Sequence, residues 1–154
     1  TEHYKDTFYH ITPHFTYAQA EEMAASGVIS IQSHTFDMHQ WPPYERGRAR
    51  DTVLRWTGET ERDYRIALTR DCAKLRAALP GGETIHAMAY PEGRHDPLAE
   101  SILLENGFDI TFTTQPGMNT LVRGVPQCLL CLKRYTAAQE YSGAKLAALL
   151  SAKN

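Results

Sequence analysis

The sequence lacks the features that mark several classes of protein. Its 154 residues have a formal net charge of -2, without the basic excess that nucleic-acid-binding proteins use. No apolar run approaches the roughly 18 residues that a membrane-spanning helix needs. The first residues show neither the basic nor the apolar region of a secretory signal peptide. We therefore expect no nucleic-acid partner and no membrane span within these residues.

Cysteine is also scarce, and the three residues present cannot form a disulfide framework. Cys128 and Cys131 have the C-x-x-C spacing that occurs in redox motifs and in halves of zinc sites. They lie in an apolar run, however, and on a β-strand an offset of three directs two side chains to opposite faces. We therefore predict that both are buried structural cysteines.

The remaining sequence is typical of a globular α/β chain. Hydrophobic content of 42% and charged content of 22% are close to the averages for soluble domains. Apolar periodicity, capping residues and glycine or proline stops predict helices that alternate with strands, as on a parallel sheet. The predicted helices are 16–26, 60–79, 96–106 and 142–151, and the predicted strands are 28–33, 85–90, 109–113 and 129–135. Four strands are few for a closed barrel, so the pattern indicates part of a larger α/β domain or a small domain without its opening strands.

Two histidines follow the first predicted strand, His34 and His39. Loops at the carboxyl ends of parallel strands carry the functional site, and neutral imidazole is a common zinc ligand. A catalytic zinc needs a third protein ligand and an open position, so this pair alone is incomplete. Alternatively, both are polar loop residues that bond to the backbone. We expect Asp37, between them, to have a turn or capping role.

A second candidate site follows the next predicted strand, where Tyr90-Pro91-Glu92-Gly93 predicts a tight turn. Such a turn can direct backbone N–H groups at a substrate oxyanion. The alternative is an ordinary connection between a strand and a helix.

The segment 40–59 is polar and, at roughly 20 residues, longer than most connections. Trp41 and Tyr44 are its candidates for ligand contacts, because aromatic rings supply large faces on which a ligand can stack. A surface loop fixed in place by its large side chains explains the same residues.

In order along the chain, these motifs resemble the NodB-type polysaccharide deacetylases, carbohydrate esterase family 4. The run from His34 to His39 resembles the family's second motif, a His-Ser/Thr followed shortly by another His. Its three-residue insertion is similar to the branch that deacetylates poly-N-acetylglucosamine and its Gram-positive relatives. The segment 87–93 resembles the family's proline turn, and Leu132-Lys-Arg134-Tyr135 resembles its closing strand. The resemblance extends from about Phe15 to Tyr135.

The resemblance implies a distorted (β/α) barrel of the NodB type, here without its opening strand or strands, in which 1–154 is part of a longer domain. It implies hydrolysis of N-acetyl groups on an N-acetylglucosamine-containing polysaccharide, peptidoglycan or exopolysaccharide, outside the cell or at the cell envelope. A divalent metal, with zinc favoured, would be held by His34 and His39. Tyr90 and Pro91 would shape a turn that presents the backbone N–H of Glu92 to the oxyanion. Trp41 and Tyr44 would form one wall of a sugar groove, with their aromatic faces stacked on sugar rings.

The sequence departs from the family pattern at three places that bear on catalysis. The family's Asp-Asp motif, which supplies the third metal ligand and the general base, does not occur in the sequence. Glu92 stands where many members have tyrosine, and Leu132-Lys133-Arg134 stands where others have a Leu-x-His motif with a general acid. We therefore expect a fragment of a longer chain that is inactive alone. The alternatives are an inactive carbohydrate-binding or scaffold module of this fold, and an amidohydrolase with an enclosed pocket for a small amide.

Overall fold

The structure is a computed structural model that describes residues 2–4, 7–9, 15–39, 50, 52–79, 81–137 and 141–151. The chain divides into two compact units, Thr1–Ile31 and Gln32–Asn154. Trp41 and Tyr44, the predicted sugar-binding residues, lie outside the described residues. In the part of the chain that is described, no helix combines the length and the apolar character needed to cross a membrane.

The first unit contains a short hairpin and one helix. Strands β1 (Glu2–Tyr4) and β2 (Thr7–Tyr9) pair antiparallel, and helix α1 spans Tyr17–Ala25. Thr16 and Gln19 form a capping box at the start of α1, which confirms the predicted helix. The hairpin was not predicted, because strands of three residues are too short to show an alternating pattern.

Strands β3 (Ala87–Ala89) and β4 (Ile110–Phe112) form the centre of the second unit and pair in parallel. Ser33 bridges Met88 on one side, and Leu132 bridges Phe112 on the other, both in parallel. This arrangement confirms the predicted parallel sheet and its two middle strands in shorter form. The described strands do not by themselves close a ring, so the barrel stays a prediction.

The first and fourth predicted strands are wrong over most of their length, since each is reduced to a single bridging residue. Before Ser33, the side-chain oxygen of Gln32 accepts the backbone N–H groups of His86 and Ala87 at 3.0 and 2.9 Å, where a strand would offer a carbonyl. Near the chain's end, Cys131 has a φ of 55°, and a left-handed residue interrupts a strand.

Helices α2 (Glu61–Ala78), α3 (Pro97–Glu105) and α4 (Gly143–Ser151) confirm the other three predicted helices. Thr60 caps α2 and Asp96 caps α3, each with a side-chain oxygen that accepts a backbone N–H. The core lies between α2, α3 and the sheet, and burial of each large apolar side chain there stabilises the fold by about 1.5–3 kcal/mol. Its fully buried side chains include Tyr64, Leu68, Cys72, Met88, Ile102, Leu103 and Phe108.

The described end of the 40–59 segment is anchored by a buried arginine. Arg50 forms an ion pair with Glu59, and its guanidinium lies 4.5 Å from the ring centre of Trp56. Arg50 is only 7% exposed, so this pair is largely removed from water. The anchoring agrees with a loop fixed in place by large side chains, although the segment 40–49 lies outside the described residues.

Arg76 ties three parts of the second unit together. Its guanidinium donates to the carbonyl of Ile85 from Nη2 at 2.8 Å and to the carbonyl of Asn106 from Nη1 at 2.6 Å. It also lies 4.6 Å from the ring centre of Phe108. Arg76 therefore joins α2 to the start of β3 and to the end of α3.

We expect Arg76→Met to lower the free energy of unfolding by about 2 kcal/mol, because two partly buried carbonyls lose their donor. Arg70→Met changes an exposed arginine of the same helix and should alter stability by less than about 0.5 kcal/mol. Urea unfolding of both variants measures the difference. Equal effects of the two substitutions would show that the hydrogen bonds of Arg76 to Ile85 and Asn106 do not stabilise the fold.

Candidate metal centre

The turn between the two histidines begins at the residue that bridges β3. The side chain of Ser33 accepts the N–H of Thr35 at 3.1 Å, and the side chain of Thr35 accepts the N–H of Met38 at 3.2 Å. Thr35 has a φ of 76°, a conformation that is unfavourable for a β-branched residue. Met38 is buried, whereas His34 is exposed. The turn is therefore a tight, side-chain-supported structure at the carboxyl end of the Ser33 bridge.

The structure brings the two imidazoles of this turn together. Nδ1 of His34 lies 2.7 Å from the carbonyl oxygen of Ala89, and since a carbonyl only accepts, this nitrogen carries the proton. The lone pair of the neutral ring is then on Nε2, which lies 2.9 Å from Nδ1 of His39. The two rings meet edge to face, with centroids 4.8 Å apart.

This donor set fits part of a divalent metal site. A backbone carbonyl that fixes the tautomer and orientation of an imidazole is the usual support of a histidine ligand. Within residues 15–39, 52–79, 81–137 and 141–151, no three His, Cys, Asp or Glu side chains form a group that could hold a metal. Asp37 therefore does not form a three-ligand group with the two histidines, and a metal held by them would need a third ligand from elsewhere.

The proline turn lies directly after the residue that orients His34. The backbone N–H of Tyr90 donates to the carbonyl oxygen of Phe112 at 3.0 Å. A 3₁₀ turn follows over Pro91–Gly93. The N–H groups of Gly93 and Arg94 close this turn by bonds to the carbonyls of Tyr90 and Pro91. Among the residues that the structure describes, none accepts the N–H of Glu92, and Glu92 is exposed with a φ of 57°.

The proline turn packs closely against its neighbours at Gly93 and at Tyr90. Gly93 has a φ of 71°, and a Cβ atom there would lie 2.2 Å from Oγ1 of Thr114. The ring of Tyr90 is fully buried and stacks on His95 at 5.2 Å between ring centres. Burial, with the nearby Glu100, raises the pKa of Tyr90 well above its usual range, so its hydroxyl stays protonated. The buried ring of Tyr90 therefore packs beneath the start of the turn as a neutral phenol.

The C-x-x-C pair forms no disulfide, and the prediction that both cysteines are buried is wrong. Cys128 and Cys131 are half-buried and free, because the left-handed backbone at Cys131 replaces the expected strand. The thiol of Cys131 donates to Glu100 at 2.9 Å. Burial and this carboxylate raise the pKa of Cys131 to about 12.

We expect Glu100→Gln to speed alkylation of Cys131 at pH 8 by roughly tenfold, since each unit by which the thiol pKa falls gives tenfold more thiolate. Mass spectrometry with iodoacetamide reports each cysteine separately. Cys72, which is buried in the core, should stay unmodified in both proteins and serves as the internal control. An unchanged rate at Cys131 would contradict the role of Glu100.

Comparison with a family model gives a match over residues 1–111 to the family described as polysaccharide deacetylase. That range includes both histidines and the proline turn. No curated protein matches the chain.

Solved structures give matches of the same kind. A de-N-acetylase from Aggregatibacter actinomycetemcomitans has a TM-score of 0.64 at 18% identity, with 88% of this chain and 53% of that chain covered. The BpsB deacetylase domain from Bordetella bronchiseptica has a TM-score of 0.57 at 27% identity, with 78% and 48% covered. IcaB from Ammonifex degensii has a TM-score of 0.60 at 26% identity, with 89% and 53% covered. The chain therefore spans about half the length of the structures it matches.

Proposed function

The chain belongs to the polysaccharide deacetylase family, and on that basis we propose that it forms part of a metal-dependent hydrolase that removes N-acetyl groups from an N-acetylglucosamine-containing polysaccharide. His34 and His39 hold a divalent metal, zinc by preference, and the Tyr90-Pro91-Glu92 turn binds the oxyanion. Since the substrate is a polymer of the cell surface, peptidoglycan or an exopolysaccharide, the enzyme acts outside the cell or at the cell envelope.

One observation carries the proposal. Nε2 of His34 and Nδ1 of His39 converge to 2.9 Å while the other nitrogen of His34 is fixed by the carbonyl of Ala89. Ala89 is followed after one residue by Pro91, so the same backbone strand orients a metal ligand and begins the turn.

We assign two roles in amide hydrolysis to the described residues: metal binding to the two histidines, and oxyanion binding to the proline turn. His34 and His39 would hold the divalent metal, which would supply polarisation of the acetamide carbonyl and a lower pKa for a water molecule. The two imidazoles act as neutral nitrogen donors, and the Ala89 carbonyl keeps His34 in the tautomer that this requires. The backbone N–H of Glu92, an exposed residue of the turn, donates to the oxygen on which negative charge develops. The general base and the third ligand belong to the Asp-Asp motif, which this sequence does not contain.

The test is binding of an N-acetylglucosamine oligomer to the chain with and without zinc, with acetate release measured in the same samples. We expect binding that requires zinc and is lost in His34→Ala. We expect no acetate release, because the Asp-Asp motif is absent.

Zinc-independent binding that survives His34→Ala would favour the inactive carbohydrate-binding module. Equal affinity for the monosaccharide and the oligomer would favour the small-amide hydrolase, and acetate release would show that another group replaces the aspartate.

A further inference from the structure

Asp71 is a buried carboxylate whose two oxygens both bond to the histidine turn. It lies on α2 and is 5% exposed. Its Oδ2 accepts the backbone N–H of Phe36 at 2.9 Å, and its Oδ1 accepts that of Asp37 at 2.8 Å. These two amides are consecutive and lie midway between His34 and His39. One carboxylate therefore bonds to both central peptide groups of the candidate metal turn.

A carboxylate in this position is costly to bury. Burial raises the pKa of Asp71 above its ordinary value, although the bonds from Phe36 and Asp37 act in the opposite direction. No ion pair in the described part of the second unit involves Asp71. An apolar side chain would fill the same place on α2 without that cost. An apolar residue, however, could not accept the N–H groups of Phe36 and Asp37, as Asp71 does.

The turn needs an external support because its backbone is strained. Thr35, directly before the two amides, has a φ of 76°, and such strain costs of the order of 1–3 kcal/mol. Without a partner for the next two N–H groups, Thr35 would relax toward negative φ. That rotation would change the direction of the chain between the two histidines and so the separation of their rings.

We propose that Asp71 is the positioning residue of the metal centre: by bonding to the N–H groups of Phe36 and Asp37, it holds the turn in the one shape that presents His34 and His39 to a single metal ion. The effect on metal binding rests on the proposed function, but the bonds from Asp71 to the turn do not depend on a metal.

The experiment compares Asp71→Asn with Asp63→Asn in the full chain. Asparagine keeps one acceptor oxygen and places an NH₂ group against the second N–H, so one of the two bonds is lost. Asp63 is an exposed acid of the same helix, so its replacement removes the same charge elsewhere. Zinc affinity is measured by calorimetry, and amide hydrogen exchange of residues 34–39 is measured in the metal-free protein.

In Asp71→Asn, we expect a zinc affinity roughly 10-fold to 100-fold lower, as for other residues that support metal ligands. The amides of Phe36 and Asp37 should exchange faster, while those in the middle of α2 do not change. Asp63→Asn should alter zinc affinity by no more than about twofold. A helix that exchanges faster throughout would indicate a merely structural role and overturn the proposal.

The two proposals fail in different ways. If the unaltered chain binds zinc and Asp71→Asn binds it equally well, Asp71 is not a positioning residue, although the metal centre stands. If the unaltered chain binds no zinc, the proposed function fails, and the amide exchange alone decides whether Asp71 holds the turn. Unchanged exchange at Phe36 and Asp37 overturns the inference in either case.

Discussion

Replacing Gly93 by alanine is expected to lower the free energy of unfolding by about 3 kcal/mol, from left-handed strain and overpacking together. The backbone at Gly93 has a φ of 71°, which favours glycine, and the new Cβ would lie 2.2 Å from Oγ1 of Thr114 and 2.7 Å from its backbone nitrogen. The side chain of Thr114 can rotate, but its backbone nitrogen cannot move without shifting the chain after β4. The proline turn therefore has to deform.

Gly81→Ala is the matched control for this substitution. Gly81 has a φ of 72°, but a Cβ atom there meets nothing within 4 Å. It should therefore show only the conformational penalty, about 1 kcal/mol. Urea unfolding of both variants separates the steric part from the backbone part. Equal losses would mean that the chain after β4 does not press on the turn.

Replacing either His34 or His39 by alanine is expected to abolish stoichiometric zinc binding. An imidazole ligand contributes about 3 kcal/mol to zinc affinity, so the dissociation constant should rise by roughly 100-fold or more. We expect elemental analysis after equilibrium dialysis against zinc-containing buffer to find about one zinc per unaltered chain, with water in the positions that the protein leaves open, and almost none in either variant.

The matched control for these variants is His86→Ala. His86 is an exposed histidine that lies next to β3, and its ring pairs with Asp109 at 2.6 Å. Its replacement should leave the zinc content unchanged. Zinc that is lost equally in all three variants would point to adventitious binding by surface histidines.

The helices were predictable because their signals are local. The capping residues lie directly before the helices that they begin, at Thr16, Thr60 and Asp96, and Gln19 lies in the first turn of α1. The strands were less predictable because they are short and their bonds come from distant residues. Neither the side chain of Gln32 that replaces a strand carbonyl nor the left-handed backbone at Cys131 can be inferred from alternation of apolar residues.

The candidate site was predictable to the extent that its residues are adjacent in sequence. The two histidines and the proline turn stand as compact motifs at the ends of predicted strands. Asp71 was missed because it bonds to residues 35 and 34 positions earlier in the chain. A signal was present, since Asp71 lies three residues after the buried Leu68 and directly before the buried Cys72. A carboxylate within an apolar helix face indicates a buried partner.

The most direct test of the metal centre is the X-ray absorption spectrum of the zinc-loaded chain. We expect two imidazole ligands, with nitrogen scatterers at about 2.0–2.1 Å and the outer-shell pattern of histidine rings. In His34→Ala, one of the two imidazoles should disappear from the spectrum of any zinc that remains. A spectrum with sulfur scatterers at about 2.3 Å would place zinc at the cysteines, and one without imidazole scattering would contradict the assignment of His34 and His39.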